Sequence, residues 1–435
     1  MLSADLYELT MVAGYFARGR DTLQAAASFE LFVRHLPPHR RYLVVAGLEQ
    51  ALDWLEQLAF TADEIRWMRA LPAFAGVPEA FFDYLRTFRF TGTVWAVPEG
   101  TIMPAQAPLL RVEAPLPEAQ YAETALLAIV NFQTLVASKA ARVVGAAAGR
   151  PVLEFGARRA HGLGAALCAA RAAYLAGCQS TSYMEAGQRF GIPLSGTMAH
   201  SWVMSAATEM DAFKEYAAVF GDRSVLLLDT YDTVDAARAV AASGLQPGGV
   251  RLDSGDLLAL SADVRRILDA AGLRQTRIFA SGDLDEHAIA ALVASHAPID
   301  GFGVGTSMVT SVDAPALGGI YKLVELEEHG RPTPVQKRSP GKSTWPGRKQ
   351  AFRILRDGCA VHDVVAFADE PAPPDSTPLL MPVMRAGRRI EPAPSLASVR
   401  DVCRASLAQL PDRFRDLSDG DGYEAVPSER LRDAI

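Results

Sequence analysis

Between Val152 and Val304 short apolar runs alternate with stretches of helical periodicity, and this alternation constrains the fold more than any other feature of the chain. Residues 152–155, 196–199, 225–229, 249–252, 277–280 and 299–304, with 320–325 beyond them, read as buried strands. Residues 234–242, 261–271 and 285–294 between them repeat their apolar side chains at helical spacing. Such a pattern predicts parallel strands joined by crossover helices, in a barrel or a doubly wound sheet. Almost every run ends on a polar residue: Arg158, His200, Asp229, Asp253, Ser281 and Thr306. In a (β/α) barrel the carboxyl ends of the strands share the face where active sites sit, which favours the barrel.

The chain has 435 residues, enough for a barrel and a second, smaller unit. Upstream, Leu6, Leu9, Val12, Ala13 and Phe16 mark an amphipathic helix over 3–18, and residues 26–33 read as a strand. A helix over 48–58, helical residues to about 90 and β-like residues 91–113 complete a mixed α+β region. Residues 118–144 lack proline and internal glycine and predict one long buried helix. Residues 331–353 are rich in Pro, Gly, Lys and Arg and read as an exposed basic loop. Strand-like pieces at 358–367 and 379–384 and a helix at 395–410 would pack back on the N-terminal region. The expected division is an α+β domain over 1–115, an irregular α/β barrel with the active site over 116–345, and a C-terminal segment over 346–435 that completes the first domain.

Composition narrows the function. Hydrophobic residues at 49% exclude global disorder, and a net charge of −7 argues against a protein that wraps nucleic acid. A few clustered arginines could still form a local anion site. Cys168, Cys178, Cys359 and Cys403 are scattered with no C-x-x-C pair, so buried free thiols in a reducing compartment are expected. Asp5 and Glu8 interrupt the first apolar stretch, and windows such as 165–177 fall short of the ~20 residues that span a bilayer, so a soluble cytoplasmic protein with no membrane partner is expected.

Four stretches could hold chemistry. Gly303-Val304-Gly305-Thr306-Ser307 suits a phosphate, because glycines let backbone N–H groups approach and the hydroxyls add donors; a plain tight turn has the same sequence. Arg251-Leu252-Asp253-Ser254-Gly255-Asp256 offers two carboxylates for ribose hydroxyls or a phosphate-bound Mg²⁺, with Asp253 and Asp256 as candidate ligands; the alternative is a helix cap at Asp253 or Ser254. Ser281-Gly282-Asp283 repeats the device one strand later. In Glu154-Phe155-Gly156-Ala157-Arg158-Arg159 an aromatic ring stands beside two guanidiniums, which suits a flat anionic ring, although Phe155 could equally be core. His200 could be a base or a phosphoryl acceptor, or a satisfied imidazole; His161 lies on the loop into a helix.

Taken with the opening Asp5-Leu6-Tyr7-Glu8-Leu9-Thr10-Met11, these stretches resemble the nicotinate phosphoribosyltransferase family. The matching segments are EFGARRAHG (154–162), SGTMAHSW (195–202), VRLDSGD (250–256), ASGDLDE (280–286), GFGVGTS (301–307) and PGRKQAFR (346–353), in the expected order. The resemblance implies transfer of ribose 5-phosphate from phosphoribosyl pyrophosphate to nicotinate, with Mg²⁺, and with ATP as co-substrate phosphorylating His200. It also implies that Phe155 stacks on the pyridine ring, that Tyr7 reaches in from the partner subunit of a homodimer, and that Arg158 stands near the carboxylate or phosphate. Arg251, Asp253, Ser281, Gly282 and Asp283 would contact ribose and pyrophosphate, and Gly303, Gly305 and Thr306 the 5-phosphate. Lys337, Lys342, Arg348 and Lys349 would close over ATP or pyrophosphate.

A related nicotinamide-using enzyme carries an aspartate where this chain has Ser180-Thr181-Ser182. Hydroxyls there, with Thr181 as a nicotinate contact, favour the acid over the amide, because a carboxylate would repel nicotinate. A quinolinate-using relative would want more basic residues and has no need of the His200 motif. A sugar-phosphate aldolase would want a strand-end lysine or a metal cluster; Lys322 is the only near candidate. A regulatory protein with a retained nucleotide site would bind without turnover.

Overall fold

The computed structural model describes residues 2–328, 330–337 and 344–435. It forms two compact units, one of Met1–Leu135 with Ala316–Ile435 and one of Val136–Pro315. The boundaries therefore fall at 135 and 315 rather than near 115 and 345. Two interactions explain the shift. Thr124 and Thr134, on the long helix, hydrogen-bond to Glu8 and Ala46 of the first unit. The run expected as a last barrel strand instead lies within Gly319–Glu328, antiparallel to Ala26–Val33, where Tyr321 stacks on Phe29 with centroids 5.0 Å apart.

The second unit is a half-barrel. Its six parallel strands run in the order Ser180–Thr181, Val152–Glu154, Gly301–Val304, Arg277–Ala280, Gly249–Leu252, Val225–Leu227. On one face Val152, Leu226, Val250, Leu252, Ile278, Phe302 and Val304 are buried, under helices such as Leu163–Leu175 and Leu257–Ala270. On the other face Leu153, Val225, Arg251 and Phe279 remain partly open. That second, concave face is where a ligand can lie.

One expected strand is absent. Residues 195–199 have no regular structure, and His200 opens the helix His200–Ser205 instead of ending a strand. Its place in the sheet is taken by Ser180–Thr181, extended by a single bridge from Thr181 to Leu194. Gly191, Pro193 and Gly196 break the apolar run, while two buried polar residues give no hydrophobic signal.

Aspartates at the strand-to-helix turns are used repeatedly as caps. Asp232, Asp256 and Asp285 accept from the backbone N–H groups of Asp235, Ala259 and Ala288, and so start the helices Thr233–Ala242, Leu257–Ala270 and Glu286–Ala294. Asp256, not Asp253 or Ser254, is the cap of its helix, which leaves Asp253 free for the site.

Beneath this unit lies a buried ion cluster. Lys139 Nζ is 2.6 Å from Glu286 and 2.9 Å from Asp313, and Arg142 Nε is 3.0 Å from Glu286. Glu286 is fully buried, and Lys139 and Arg142 hold its carboxyl below the usual range. Glu286→Ala would leave buried Arg142 without this anion and Lys139 with Asp313 alone, and should cost about 3–5 kcal/mol of stability, measurable by urea unfolding.

The first unit contains a seven-stranded antiparallel sheet in the order Arg331–Pro334, Gly319–Glu328, Ala26–Val33, Pro108–Pro115, Thr93–Ala96, Met381–Arg385, Arg388–Arg389. A smaller sheet joins Ser376–Pro378, Lys349–Arg356, Cys359–Phe367 and Ala425–Pro427. The C-terminal segment is thus built into the N-terminal unit. Arg353 forks onto Asp363 at 3.0 and 2.9 Å and also reaches Ser406 and the Ile102 carbonyl, while Tyr423 donates to Asp363 at 2.6 Å.

Glu8 is buried in the helix Leu6–Arg18, where Oε1 accepts from the Thr124 N–H at 2.8 Å and Oε2 has no hydrogen-bond partner. Burial pushes its pKa up to about 7. The folded state therefore keeps a proton that the unfolded chain loses near its ordinary value, and the resulting stability is lost as pH rises through about 7. Glu8→Gln should match the wild type in melting temperature at pH 5 and exceed it by roughly 2 °C or more at pH 8, as read by thermal unfolding.

The helix Glu123–Ala146 has 24 residues and is long and apolar enough to cross a membrane, a stretch that the shorter apolar windows did not reveal. Its most apolar window is 67% buried within the fold, and Lys139 and Arg142 lie on it, as suits a core helix. All four cysteines are free thiols; Cys178 and Cys403 are buried as expected, but Cys359 is exposed and Cys168 half-buried.

Candidate active site

The concave face of the half-barrel holds a cavity of about 450 Å³, lined by Leu153, Phe155, Phe279, Arg223, Arg251, Ser281 and Gly303 and by the segment 194–197. The Phe155 ring lies against Gly303, where a Cβ would stand 2.6 Å from Cδ2, so glycine is needed for the ring to occupy this position. Arg251 enters the same cavity. It donates to the Met198 carbonyl at 3.3 Å, while its Nε is buried with no hydrogen-bond partner. Burial lowers its pKa and Asp253 and Asp229 oppose the shift, with Arg158 adding repulsion. Aromatic and aliphatic walls together with Arg223 and Arg251 suit a flat ring bearing a negative group.

At the carboxyl ends of the strands a polar chain runs beside the cavity. His200 is 39% exposed, with Nδ1 3.1 Å from Thr230 Oγ1 and Nε2 3.9 Å from Asp253 Oδ2. Ser281 donates to Asp253 Oδ1 at 2.5 Å. Asp229 Oδ2 accepts from the Asp253 N–H at 3.0 Å and the Ser254 hydroxyl at 2.6 Å, and Asp229 Oδ1 is buried with no hydrogen-bond partner. Trp202 Nε1 donates to the Ala212 carbonyl at 3.1 Å, and its ring meets Tyr216 edge-on, so the helix bearing His200 is held against its neighbour.

Gly282 sets the geometry of the loop that holds Ser281. Its φ is +84°, and a Cβ there would stand 1.9 Å from the Asp253 carbonyl oxygen. Gly282→Ala must displace that backbone and break the Ser281–Asp253 contact, and a shift of this size should lower kcat/KM on the order of 100-fold in a steady-state assay.

Comparison with known proteins decides the family. Residues 2–131 match the model described as the nicotinate phosphoribosyltransferase N-terminal domain, and residues 136–315 the quinolinate phosphoribosyl transferase C-terminal domain. The nicotinate phosphoribosyltransferase pncB2 of Mycobacterium tuberculosis is 45% identical, over 99% of this chain and 92% of its own length. The chain belongs to the nicotinate phosphoribosyltransferase family. The crystal structure of human nicotinic acid phosphoribosyltransferase superposes with a TM-score of 0.85 at 32% identity, covering 100% of this chain and 99% of the other. That of the nicotinate-nucleotide pyrophosphorylase from Pyrococcus furiosus gives a TM-score of 0.75 at 26% identity, covering 93% and 94%.

Within this nicotinate phosphoribosyltransferase fold the expected site residues divide. Phe155, Arg251, Ser281 and Gly303 meet at the cavity, and Asp253 and His200 stand beside it. Gly305 packs on the Phe155 carbonyl, Thr306 starts a short helix and is exposed, and Asp283 is exposed on the Gly282 loop. Arg158 is exposed on a single 3₁₀ turn, outside the residues that line the cavity. Thr181 does not offer its hydroxyl to the cavity: it is fully buried, donates to Glu154 at 2.5 Å and accepts from the Tyr183 N–H at 3.0 Å. Glu154 is thus a buried acid that the hydroxyl argument overlooked. It also accepts from the Gly156 N–H, and burial pushes its pKa up.

Tyr7, Lys337, Arg348 and Lys349 belong to the first unit. Tyr7 is half-exposed on the first helix and Lys337 is exposed. Lys342 lies outside the described residues. Lys349 cannot act as a mobile loop cation, because it is buried in a strand with Nζ 2.9 Å from the fully buried Glu30. Arg348 Nε is 2.8 Å from Glu325, with Glu113 beyond it, so its charge is already matched. The residues the sequence reading missed are Asp229, seen only as a strand end, and Thr230, which gave no signal beyond its place next to it.

Proposed function

We propose that the chain condenses nicotinate with 5-phosphoribosyl 1-pyrophosphate to nicotinate mononucleotide and pyrophosphate, coupled to ATP hydrolysis through phosphorylation of His200, as a step of NAD biosynthesis. The observation that supports it most is Arg251, a half-buried guanidinium residue that lines the same cavity as the Phe155 ring. Phe155 stacks on the pyridine ring and Arg251 takes its carboxylate, a role that the cavity geometry favours for Arg251 over Arg158. The amide of nicotinamide has no charge to offer in exchange, which is the physical basis for choosing the acid.

Departure of pyrophosphate from the anomeric carbon develops positive charge on the ribose, so the protein has to position the ring nitrogen and hold the leaving group. Ser281 and Asp253 stand where ribose hydroxyls would be held, and the Gly303–Thr306 turn would hold the 5-phosphate. The buried, unpartnered Asp229 Oδ1 beside Asp253 fits a hard cation. Among the described residues no three His, Cys, Asp or Glu side chains surround a common point, which suits Mg²⁺ held by one or two carboxylates together with substrate phosphates. When bound, Mg²⁺ would neutralise the pyrophosphate charge. In this reading Tyr7 completes the site of a partner subunit in a homodimer.

The test is a product assay with phosphoribosyl pyrophosphate and Mg²⁺. Mononucleotide from nicotinate and little from nicotinamide is expected; the reverse preference would sink the reading.

A further inference from the structure

A histidine can accept a phosphoryl group at either ring nitrogen, and only the one with a free lone pair is nucleophilic. His200 Nδ1 lies 3.1 Å from Thr230 Oγ1, and among the described residues no other side chain is hydrogen-bonded to the ring. Nε2 faces Asp253 at 3.9 Å, beyond hydrogen-bond distance, on the side where Ser281 and Asp253 meet. Thr230 itself follows Asp229, whose carboxylate is tied to the Asp253 backbone and Ser254, so the hydroxyl stands on a fixed segment. The helix bearing His200 is anchored from the other side by Trp202 on Ala212.

We infer that Thr230 is a positioning residue that holds the His200 ring by its Nδ1 edge, so that Nε2 is the nitrogen presented to the γ-phosphate of ATP, in the tautomer that carries its proton on Nδ1. The inference rests on the phosphohistidine reading above and adds the residue that gives it a single site of attack. In the step, the Nε2 lone pair forms the P–N bond while the bond from the γ-phosphorus to the bridging oxygen breaks, and that electron pair leaves with ADP. The Nδ1 proton stays on the ring, which becomes positively charged, and its hydrogen bond to Thr230 Oγ1 becomes charge-assisted. Without the hydroxyl the ring is free to rotate, and attack divides between the two nitrogens or slows.

The experiment labels the full-length protein with γ-³²P-ATP and assigns the phosphorylated nitrogen by ³¹P and ¹⁵N NMR, in the wild type, Thr230→Ala and Thr230→Ser, with thermal unfolding to verify that each is folded. The expected result is phosphorylation at Nε2 in the wild type and in Thr230→Ser. Thr230→Ala should label on the order of tenfold more slowly, the equivalent of one lost charge-assisted hydrogen bond, or at both nitrogens. A folded Thr230→Ala labelled at Nε2 alone and at the wild-type rate would overturn the role of Thr230 and leave the phosphohistidine reading standing. Absence of label on wild-type His200 would overturn both.

Discussion

Arg251→Leu is expected to lower kcat/KM for nicotinate on the order of 10³-fold in a steady-state assay. The substitution keeps an apolar side chain in the cavity that also holds Leu153, Phe155 and Phe279, so shape is largely retained and charge is removed. The substrate carboxylate would then lose the half-buried guanidinium, with Arg223 the remaining arginine among the lining residues, and losing one member of a buried charge pair costs about 2–5 kcal/mol. The loss should fall mainly on nicotinate, so the preference over nicotinamide should shrink with it. Arg251→Lys should recover only part of the loss, since an ammonium cannot fork onto a carboxylate while also reaching the Met198 carbonyl. Equal losses for acid and amide would assign Arg251 to the phosphoribosyl moiety instead.

His200→Ala should turn over no faster with ATP than the wild type does without it, a loss of roughly 10- to 100-fold under ATP-stimulated conditions. Coupling of this kind is a difference in binding free energy between the phosphorylated and free states. On the proposed role of His200 as acceptor, its removal removes the difference and leaves the cavity beside Phe155 intact, because His200 is not among the residues that line it. KM for phosphoribosyl pyrophosphate should accordingly become independent of ATP. Retained ATP stimulation in this variant would move the phosphoryl acceptor elsewhere.

The half-barrel was legible because its strands are short, apolar and separated by helices with aspartate caps. Gly249–Leu252 and Arg277–Ala280 lie at the expected residues. What was hidden has physical causes. Ser180–Thr181 is a strand with no apolar residue, and its sheet position is fixed by tertiary contacts with Val152–Glu154. The 196–199 run looked like a strand because periodicity over four residues cannot distinguish a strand from an irregular segment. Lys349 read as a loop cation because composition does not reveal that Glu30, 319 residues away, buries with it. At the site, the glycines at 282 and 303 read only as parts of ligand-holding turns, and the structure adds a reason of packing for each: the Asp253 carbonyl and the Phe155 ring. Thr230 could not be read from sequence, since its meaning lies in one hydrogen bond to a residue thirty positions earlier.

The central claim is tested most directly by a dual-label, single-incubation assay with ¹⁴C-nicotinate and γ-³²P-ATP in the presence of phosphoribosyl pyrophosphate and Mg²⁺. Labelled mononucleotide that accumulates in step with released phosphate, and slows when ATP is withheld, is the result predicted for a nicotinate site coupled to His200. Mononucleotide formed at one rate whether or not ATP is hydrolysed would contradict the coupling, and absence of labelled mononucleotide under both conditions would contradict the assignment of the site itself.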